Sequence, residues 1–296
     1  MHRTTWLLFS LTCTITRIAV CQAPPPTHDE GFQFLPGGTL LKPLIANPQE
    51  PRVGVRKEIG TAQLKLDIGS MVDFVQFTAN KSGTVRLRMG ADFFTFALTT
   101  SAQGLRLQVA AVDGFFGGHI VMRADDGPRS LALRLRLMHL SAHLIDGNFD
   151  VATGQWKDGR MPIPFTRDFG ELVAAYAFPI WTMPMLVYSG VVYATLVRPG
   201  DIKRIASIHG LEIRTDDQFP KVFGRPFAIY GAFNVTLAGV PAYVATNVIE
   251  AGVKFGGWDD IGLKFYVNYI SGLDLFSQFY NVHRAMWGTG FTIDFY

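Results

Sequence analysis

The sequence has very little cysteine and few charged residues. Its two cysteines, Cys13 and Cys21, lie near the N-terminus, so the rest of the chain has none. This excludes a disulfide framework or a cysteine-based metal site in that part. Charged residues make up 17% of the 296 residues and aromatic residues 13%, whereas soluble proteins average about 25% charged residues. The composition therefore indicates contact with a membrane.

The chain also lacks an unbroken apolar run suited to a transmembrane helix. Two uncharged stretches, 172–197 and 226–249, are long enough to cross a membrane. The first contains Pro179 and Pro184, however, and the second contains Pro241, and proline breaks helices. Both stretches are rich in Val, Tyr, Phe and Thr, which favour strands. Each is therefore predicted to form two strands joined by a turn.

The first residues have the features of an export signal. Arg3 lies in a short basic start, residues 4–15 are mostly apolar, and Ala23 is the small residue that a signal peptidase requires. An alternative interpretation takes residues 18–21 as a lipoprotein box, although Val20 is larger than the residue usually found at its position. Either interpretation predicts that the protein is exported.

We predict three regions in the chain. They are a signal peptide over residues 1–23, a proline-rich periplasmic N-terminal strap over 24–51, and an outer-membrane β-barrel over 52–296. Cleavage would remove Arg3 and Arg17, which lowers the basic count from 27 to 25 against 24 acidic residues. A nearly neutral chain gives no reason to expect a nucleic-acid partner.

Apolar and polar residues alternate repeatedly at the two-residue period of a strand. Clear examples run from Leu64 to Phe74, from Val85 to Phe93, from Phe227 to Leu237 and from Ile261 to Tyr269. The pattern predicts an all-β fold, an antiparallel transmembrane β-barrel of about 12 strands with polar residues facing its lumen. A soluble β-sandwich or a lipocalin-like barrel also alternates and is the competing interpretation. The predicted lumen-lining residues are Arg86, Arg88, Arg134, Arg136 and Lys264.

The C-terminal residues support the membrane interpretation. One face of the last predicted strand carries Trp287, Thr289, Phe291, Ile293 and Phe295. This pattern resembles the terminal signal that the barrel insertion machinery recognises in proteins of the Gram-negative outer membrane. It predicts that the last strand ends in the periplasm. Counting back from that end places the long segment 145–164 on the outer side.

Four motifs together resemble a bacterial outer-membrane β-barrel family whose function is unassigned. They are LPGGT at 35–39, NPQEPR at 47–52, RLRLMHLSAH at 134–143 and QFY at 278–280. The resemblance runs from about residue 34 to the end and implies the barrel fold without an activity. The primary hypothesis is therefore a structural barrel or a narrow channel, with no cofactor and with outer-membrane lipids as its surroundings.

The third motif also suggests an enzyme. A leucine face over 131–137 continues at the same period into His139, Ser141 and His143. In the predicted topology this strand runs outward, so the three polar residues reach the outer leaflet on the lipid side. The His-x-Ser arrangement is similar to that of outer-membrane phospholipase and lipid A deacylase barrels. There the His is the base, the Ser is the nucleophile and a third polar residue orients the His.

The third catalytic residue is sought on the next predicted strand. If Leu144 pairs with Phe165, Ser141 lies opposite Asp168, and Asp168 is diagonal to His139. All three polar residues then share the lipid side of the wall. The alternative hypothesis is accordingly a serine-dependent lipid ester hydrolase that uses His139, Ser141 and Asp168.

Two other carboxylates and two other interpretations stay open. Glu171 and Asp146 are the fallback candidates if the register differs by one residue, because such a slip moves Asp168 to the other face. The polar residues could instead form a rim at the headgroup level without chemistry. His139 and His143 could hold a divalent metal, but the sequence offers no evident third ligand.

Overall fold

A computed structural model of the chain describes residues 31–80, 82–102, 106–216 and 218–295. The predicted signal peptide and the start of the predicted strap, 24–30, lie outside the described residues. Twelve strands of the described part form a closed antiparallel barrel, which confirms the predicted fold class. They are β1 Val53–Glu58, β2 Gln63–Thr78, β3 Val85–Ala102, β4 Arg106–Asp126, β5 Arg129–Leu144, β6 Phe165–Ile180, β7 Met183–Arg198, β8 Ile205–Arg214, β9 Phe227–Gly239, β10 Tyr243–Phe255, β11 Gly262–Leu273 and β12 His283–Asp294.

The short strand β1 closes the barrel. On one side β1 pairs with β12, where Val53 lies opposite Ile293. On the other side it pairs with β2, where Gly54 lies opposite Asp67. Each of the twelve strands therefore has two antiparallel neighbours, which leaves no open barrel edge. No helix among the described residues is long and apolar enough to cross a membrane.

The two faces of the wall have opposite character, as β5 shows. Leu135 and Leu137 are 40% and 64% exposed on the outside, whereas Arg134 and Arg136 are 0% and 1% exposed on the inside. Over this part of β5 the charged side chains lie inside and the leucines outside, the reverse of a soluble protein. This arrangement is that of a membrane-spanning barrel rather than a soluble sandwich.

The two ends of the barrel differ in their connections. The end that contains Asp294 also contains the turns at 127–128 and 181–182, and is called the turn end here. The opposite end, called the loop end, contains the longer segments 145–164 and 274–282. With the C-terminus in the periplasm, as the sequence predicts, the loop end faces outward.

The described N-terminal residues enter the barrel. A short strand, Phe32–Phe34, pairs with β2, and residues 35–52, called the lumen segment here, follow it. Within this segment Leu40, Leu41 and Leu44 join the apolar cluster of inward-facing wall residues. Residues that the sequence analysis assigns to a periplasmic strap therefore lie inside the wall, because their apolar side chains pack there.

A substitution at Gly69 in β2 can test how closely the strands of the wall are packed. Its φ is +144°, and an added Cβ would lie 2.3 Å from Cα of Phe94. Gly69→Ala should therefore combine backbone strain with overpacking of about 1–3 kcal/mol. Gly154 is the control because its φ is +68° but nothing lies within 4 Å of an added Cβ. Urea unfolding of the refolded barrels should show the larger loss for Gly69→Ala, and equal losses would contradict this packing.

Candidate functional site

The polar end of the leucine face lies on the outside of the barrel. Along β5, Leu140 and Ala142 point inward and are 0% and 3% exposed. The alternating residues His139, Ser141 and His143 therefore point outward, toward lipid. The structure thus places the three predicted polar residues on the face and near the end of the strand where the sequence expects them.

The pairing of β5 with β6 brings Asp168 to His139. His139 lies directly opposite Asp168, and Ala142 lies opposite Phe165. The predicted pairing of Leu144 with Phe165 is therefore wrong by two residues. An even shift leaves every side chain on its face, so Asp168 stays on the outer wall. Its position changes from diagonal to His139 to directly opposite it.

His139 and Asp168 form a close contact on the outer wall. Nδ1 of His139 lies 2.6 Å from Oδ1 of Asp168, and the two side chains are 32% and 46% exposed. The ring of Phe116 lies against the imidazole, with 4.7 Å between ring centroids. A neutral ring that donates from Nδ1 to the carboxylate keeps Nε2 as a proton acceptor. Asp168 thus holds His139 in the form that a general base needs.

Ser141 contacts the other histidine. Its Oγ lies 2.9 Å from Nε2 of His143, and the described residues show no hydrogen bond between Ser141 and His139. The nucleophile candidate and the oriented His139–Asp168 pair therefore lie side by side on one face. Transfer of a proton from Ser141 to His139 requires its Oγ to turn away from His143.

The fallback carboxylates are placed differently. Glu171 is 0% exposed and faces the lumen, on the other side of the wall from His139. Its carboxylate lies 2.8 Å from Nε of Arg136. Asp146 lies in the turn Asp146–Asn148, just beyond the end of β5. Of the three carboxylates weighed from the sequence, Asp168 is the one that contacts His139.

Two glycines of the neighbouring strands leave space beside this cluster. Sequence reasoning did not predict this space. Gly114 lies opposite Ser141 on the neighbouring strand β4. A Cβ added at Gly114 would have only the carbonyl oxygen of Ser141 nearby, at 3.8 Å. Gly170 lies opposite Leu137, where the nearest atom would be 3.6 Å away. The outer surface therefore has open space beside Ser141, at Gly114, and beside Leu137, at Gly170. A glycine within a strand pattern is the signal that marks such a place.

A second serine–histidine cluster lies elsewhere on the outer wall. Nδ1 of His209 in β8 lies 2.9 Å from Oγ of Ser189 in β7, and its Nε2 lies 3.1 Å from Oγ of Ser207. The residues opposite His209 are Ser189 and Val235, so both ring nitrogens contact hydroxyls rather than a carboxylate. Sequence reasoning missed this cluster, although the two-residue spacing of Ser207 and His209 on β8 is a signal that could have found it. Because its histidine contacts no carboxylate, this cluster serves as a comparison for the His139 site.

Inside the barrel, two arginines and two glutamates form a compact network. Nη1 of Arg134 lies 3.1 Å from Oε2 of Glu50, and its Nη2 lies 3.1 Å from Oε1 of Glu171. Arg136 donates to Glu171 from Nε and Nη2, at 2.8 and 2.9 Å. None of these four side chains is more than 1% exposed. Glu50 belongs to the lumen segment, so the network joins this segment to the wall.

The other predicted lumen-lining cations also have acidic partners. Arg88 lies 3.1 Å from Asp73, and Lys264 lies 3.0 Å from Asp294. Arg86 lies 2.5 Å from Asp125 near the turn end. Ion pairs therefore balance the charges of these predicted lumen-lining cations.

The loop 274–282 folds into the mouth of the barrel. Ser277 donates from its backbone N and its Oγ to Oδ2 of Asp113, at 2.9 and 2.7 Å. Gln278 donates to the carbonyl oxygens of Ala142 and Ile163, both at 2.8 Å. Burial raises the pKa of Asp274, at the base of this loop.

A cavity of about 680 Å³ remains at the loop end, lined in part by Asn148, Trp156, Arg160 and Arg284.

The part of the chain that the structure describes contains no group of three His, Cys, Asp or Glu side chains placed to hold a metal ion. The candidate site on the outer wall is formed by side chains of β5 and β6. On the outer wall it offers a hydroxyl, two imidazoles and one carboxylate. These are the groups of a serine hydrolase.

Comparison with known proteins gives fold-level similarity. No family model matches the chain. The four motifs that resemble a family of unassigned function therefore have no support from a family model. No curated protein matches it either. The beta domain of the Bordetella autotransporter BrkA is 11% identical, with a TM-score of 0.45 over 82% of this chain and 97% of that one. OmpT, an outer membrane protein of Vibrio cholerae, is 11% identical, with a TM-score of 0.35 over 86% of this chain and 99% of that one.

Proposed function

We propose that the protein is a bacterial outer-membrane barrel that hydrolyses ester bonds of outer-leaflet lipids at its outer wall. The contact between His139 and Asp168, two residues from Ser141 on the lipid-facing side, carries the proposal. Ionisable groups that face lipid are costly, and proteins retain them mainly for function. A rim at the headgroup level accounts for polar side chains but needs no histidine held by a carboxylate.

The height of the site supports a lipid substrate. His139 lies nine positions along the strand from Ser130, which is near the turn end, so nine residue steps join the two. At a rise of about 3.3 Å per residue and a tilt of about 40°, they span roughly 23 Å of an apolar band about 25 Å tall. His139 thus lies near the loop-end boundary of that band. Lipid ester bonds occur at this boundary.

The chemistry follows from the atoms available. Ser141 Oγ attacks the ester carbonyl while Nε2 of His139 takes its proton, and Asp168 stabilises the imidazolium. His139 then protonates the departing alcohol, which leaves an acyl group on Ser141. Water, activated by the same His139, hydrolyses this acyl-enzyme and releases the fatty acid. Before the attack Ser141 gives up one exposed hydrogen bond to His143, which costs about 0.5–1.5 kcal/mol.

The interior favours this function over an open pore. Arg134 and Arg136 form ion pairs with Glu171 and with Glu50 of the lumen segment, and the loop 274–282 folds into the loop-end mouth beside the cavity there. In the part of the chain that the structure describes, this network and the lumen segment occupy the middle of the lumen, which favours a closed barrel. Its exposed chemistry is on the outer wall.

The direct test is acyl release by the refolded barrel. The wild-type protein, in mixed micelles with phospholipid or with lipid A, should release fatty acids that mass spectrometry detects. The identity of the released chains would also show which lipid is the substrate. A correctly folded barrel that releases no acyl chain from either lipid would overturn the proposal.

The two histidines can be separated by parallel variants. His139→Asn should lower the rate of acyl release about 10²–10⁴-fold, because it removes the base that Asp168 orients. His143→Asn should change the rate less than about tenfold, since it removes only one exposed hydrogen-bond partner of Ser141. The reverse order would identify His143 as the base and contradict the role given to Asp168.

A further inference from the structure

The lumen segment is held in the barrel largely by side chains of the wall. Nη1 of Arg88 donates to the carbonyl oxygens of Gly37 and Gly38, at 3.1 and 2.9 Å. Nη1 of Arg123 donates to the carbonyl oxygen of Leu40 at 3.1 Å. Residues 36–52 form no strand of their own. The segment is therefore a separate piece of chain that lies within a barrel already closed by β1.

Glu50 is the acidic contact of this segment with the middle of the wall. Its carboxylate contacts both Nη atoms of Arg134 and lies 3.4 Å from Nη1 of Arg136. Two parallel contacts from one guanidinium are the geometry with which arginine binds carboxylate and phosphate groups. Glu50 thus occupies the position that the oxyanion group of a solute would take.

The wall by itself leaves this place positively charged. Arg134 and Arg136 are always protonated, and Glu171 is the wall carboxylate that both contact. Two cations with one wall anion leave one positive charge, and Glu50 from the lumen segment balances it. Because a buried unpaired charge is costly, the place left by Glu50 favours another anion.

We propose that Arg134 and Arg136 form an oxyanion-binding site in the lumen. Glu50 occupies this site from within the chain, and an anionic solute takes its place when the lumen segment is displaced. Withdrawal of the segment exposes Leu40, Leu41 and Leu44, so the closed arrangement is favoured without a solute. The site lies on the opposite side of the wall from Ser141 and does not depend on the hydrolase activity.

The first test measures stability with acetate as the probe. Glu50→Ala should lower the thermal transition of the barrel, and sodium acetate should restore at least about half of that loss by binding the vacated site. Sodium chloride at equal ionic strength should restore clearly less, and the wild type should respond to neither salt specifically. Equal effects of both salts would overturn the site. If Glu50→Ala does not refold in chloride, its refolding yield in sodium acetate against sodium chloride at equal ionic strength gives the same comparison, and equal yields would overturn the site.

The second test measures current across planar bilayers in potassium chloride. The wild type should conduct little, whereas Glu50→Ala should open and prefer chloride over potassium. Citrate should block this current in Glu50→Ala. In the double variant with Arg136→Gln, the citrate concentration that blocks half of the current should rise about tenfold or more, because a charged hydrogen bond is lost. Rescue of stability by acetate without an anion-selective current would show that Glu50 and Arg134 form only a structural ion pair, and would overturn the solute site. A cation-selective current would likewise overturn the proposal.

Discussion

Replacement of Ser141 by alanine is expected to reduce acyl release about 10⁴-fold or more. Loss of a serine nucleophile removes the covalent route entirely, and the remaining positioning groups contribute little by themselves. The substitution removes one partly exposed hydroxyl from the outer wall, so the barrel should fold as before. Initial rates of fatty-acid release at equal concentrations of folded protein measure the effect.

Ser189→Ala is the matched control for this prediction. Ser189 also lies on the outer wall and hydrogen-bonds a histidine, at 2.9 Å. Its partner His209 contacts Ser207 through the other ring nitrogen rather than a carboxylate, so it lacks the group that would orient a base. Ser189→Ala should therefore leave the rate unchanged. Activity that survives Ser141→Ala, or that falls equally in both variants, would contradict the assignment of Ser141.

Replacement of Glu171 by alanine should destabilise the barrel by about 3–5 kcal/mol. Glu171 accepts hydrogen bonds from Nε and Nη2 of Arg136 and from Nη2 of Arg134, between 2.8 and 3.1 Å. All three side chains are at most 1% exposed. Its loss leaves a buried guanidinium without adequate compensation. Guanidinium unfolding in detergent micelles measures the change.

A partly exposed ion pair serves as the comparison for Glu171. Asp216 lies 2.9 Å from Nε of Arg214, and the two side chains are 32% and 23% exposed. Because water screens such a pair, Asp216→Ala should cost no more than about 1 kcal/mol. Similar losses for Glu171→Ala and Asp216→Ala would show that the interior is far more hydrated than the closed network implies.

The outer site shows how far sequence reasoning reaches into detail. The leucine face of β5 was enough to place His139 and Ser141 on the lipid side, since alternation along a strand decides the face of every residue. It could not decide the partner of His139. Registers that differ by two residues present the same faces, and the path of the segment 145–164 selects between them. Tertiary structure placed Asp168 opposite His139 and turned Ser141 toward His143.

The interior shows a different limit. The arginines of β5 alternate with leucines, so their inward direction followed from the same period. Their partners did not follow, because Glu50 and Glu171 are far from them in the chain and contact them only after the barrel closes. The segment around Glu50 also has no strand pattern. Nothing local distinguishes a segment outside the barrel from one that lies inside it.

By itself the sequence determined the barrel class, the approximate number of its strands, and the faces of the alternating residues. These properties depend on the two-residue period and on turn positions, which are local. Tertiary structure alone decided the contact between His139 and Asp168, the position of the lumen segment and the pairing of Glu50 with Arg134 and Arg136. Such contacts join residues distant in the chain, and their free energy depends on register and desolvation that exist only in the closed barrel.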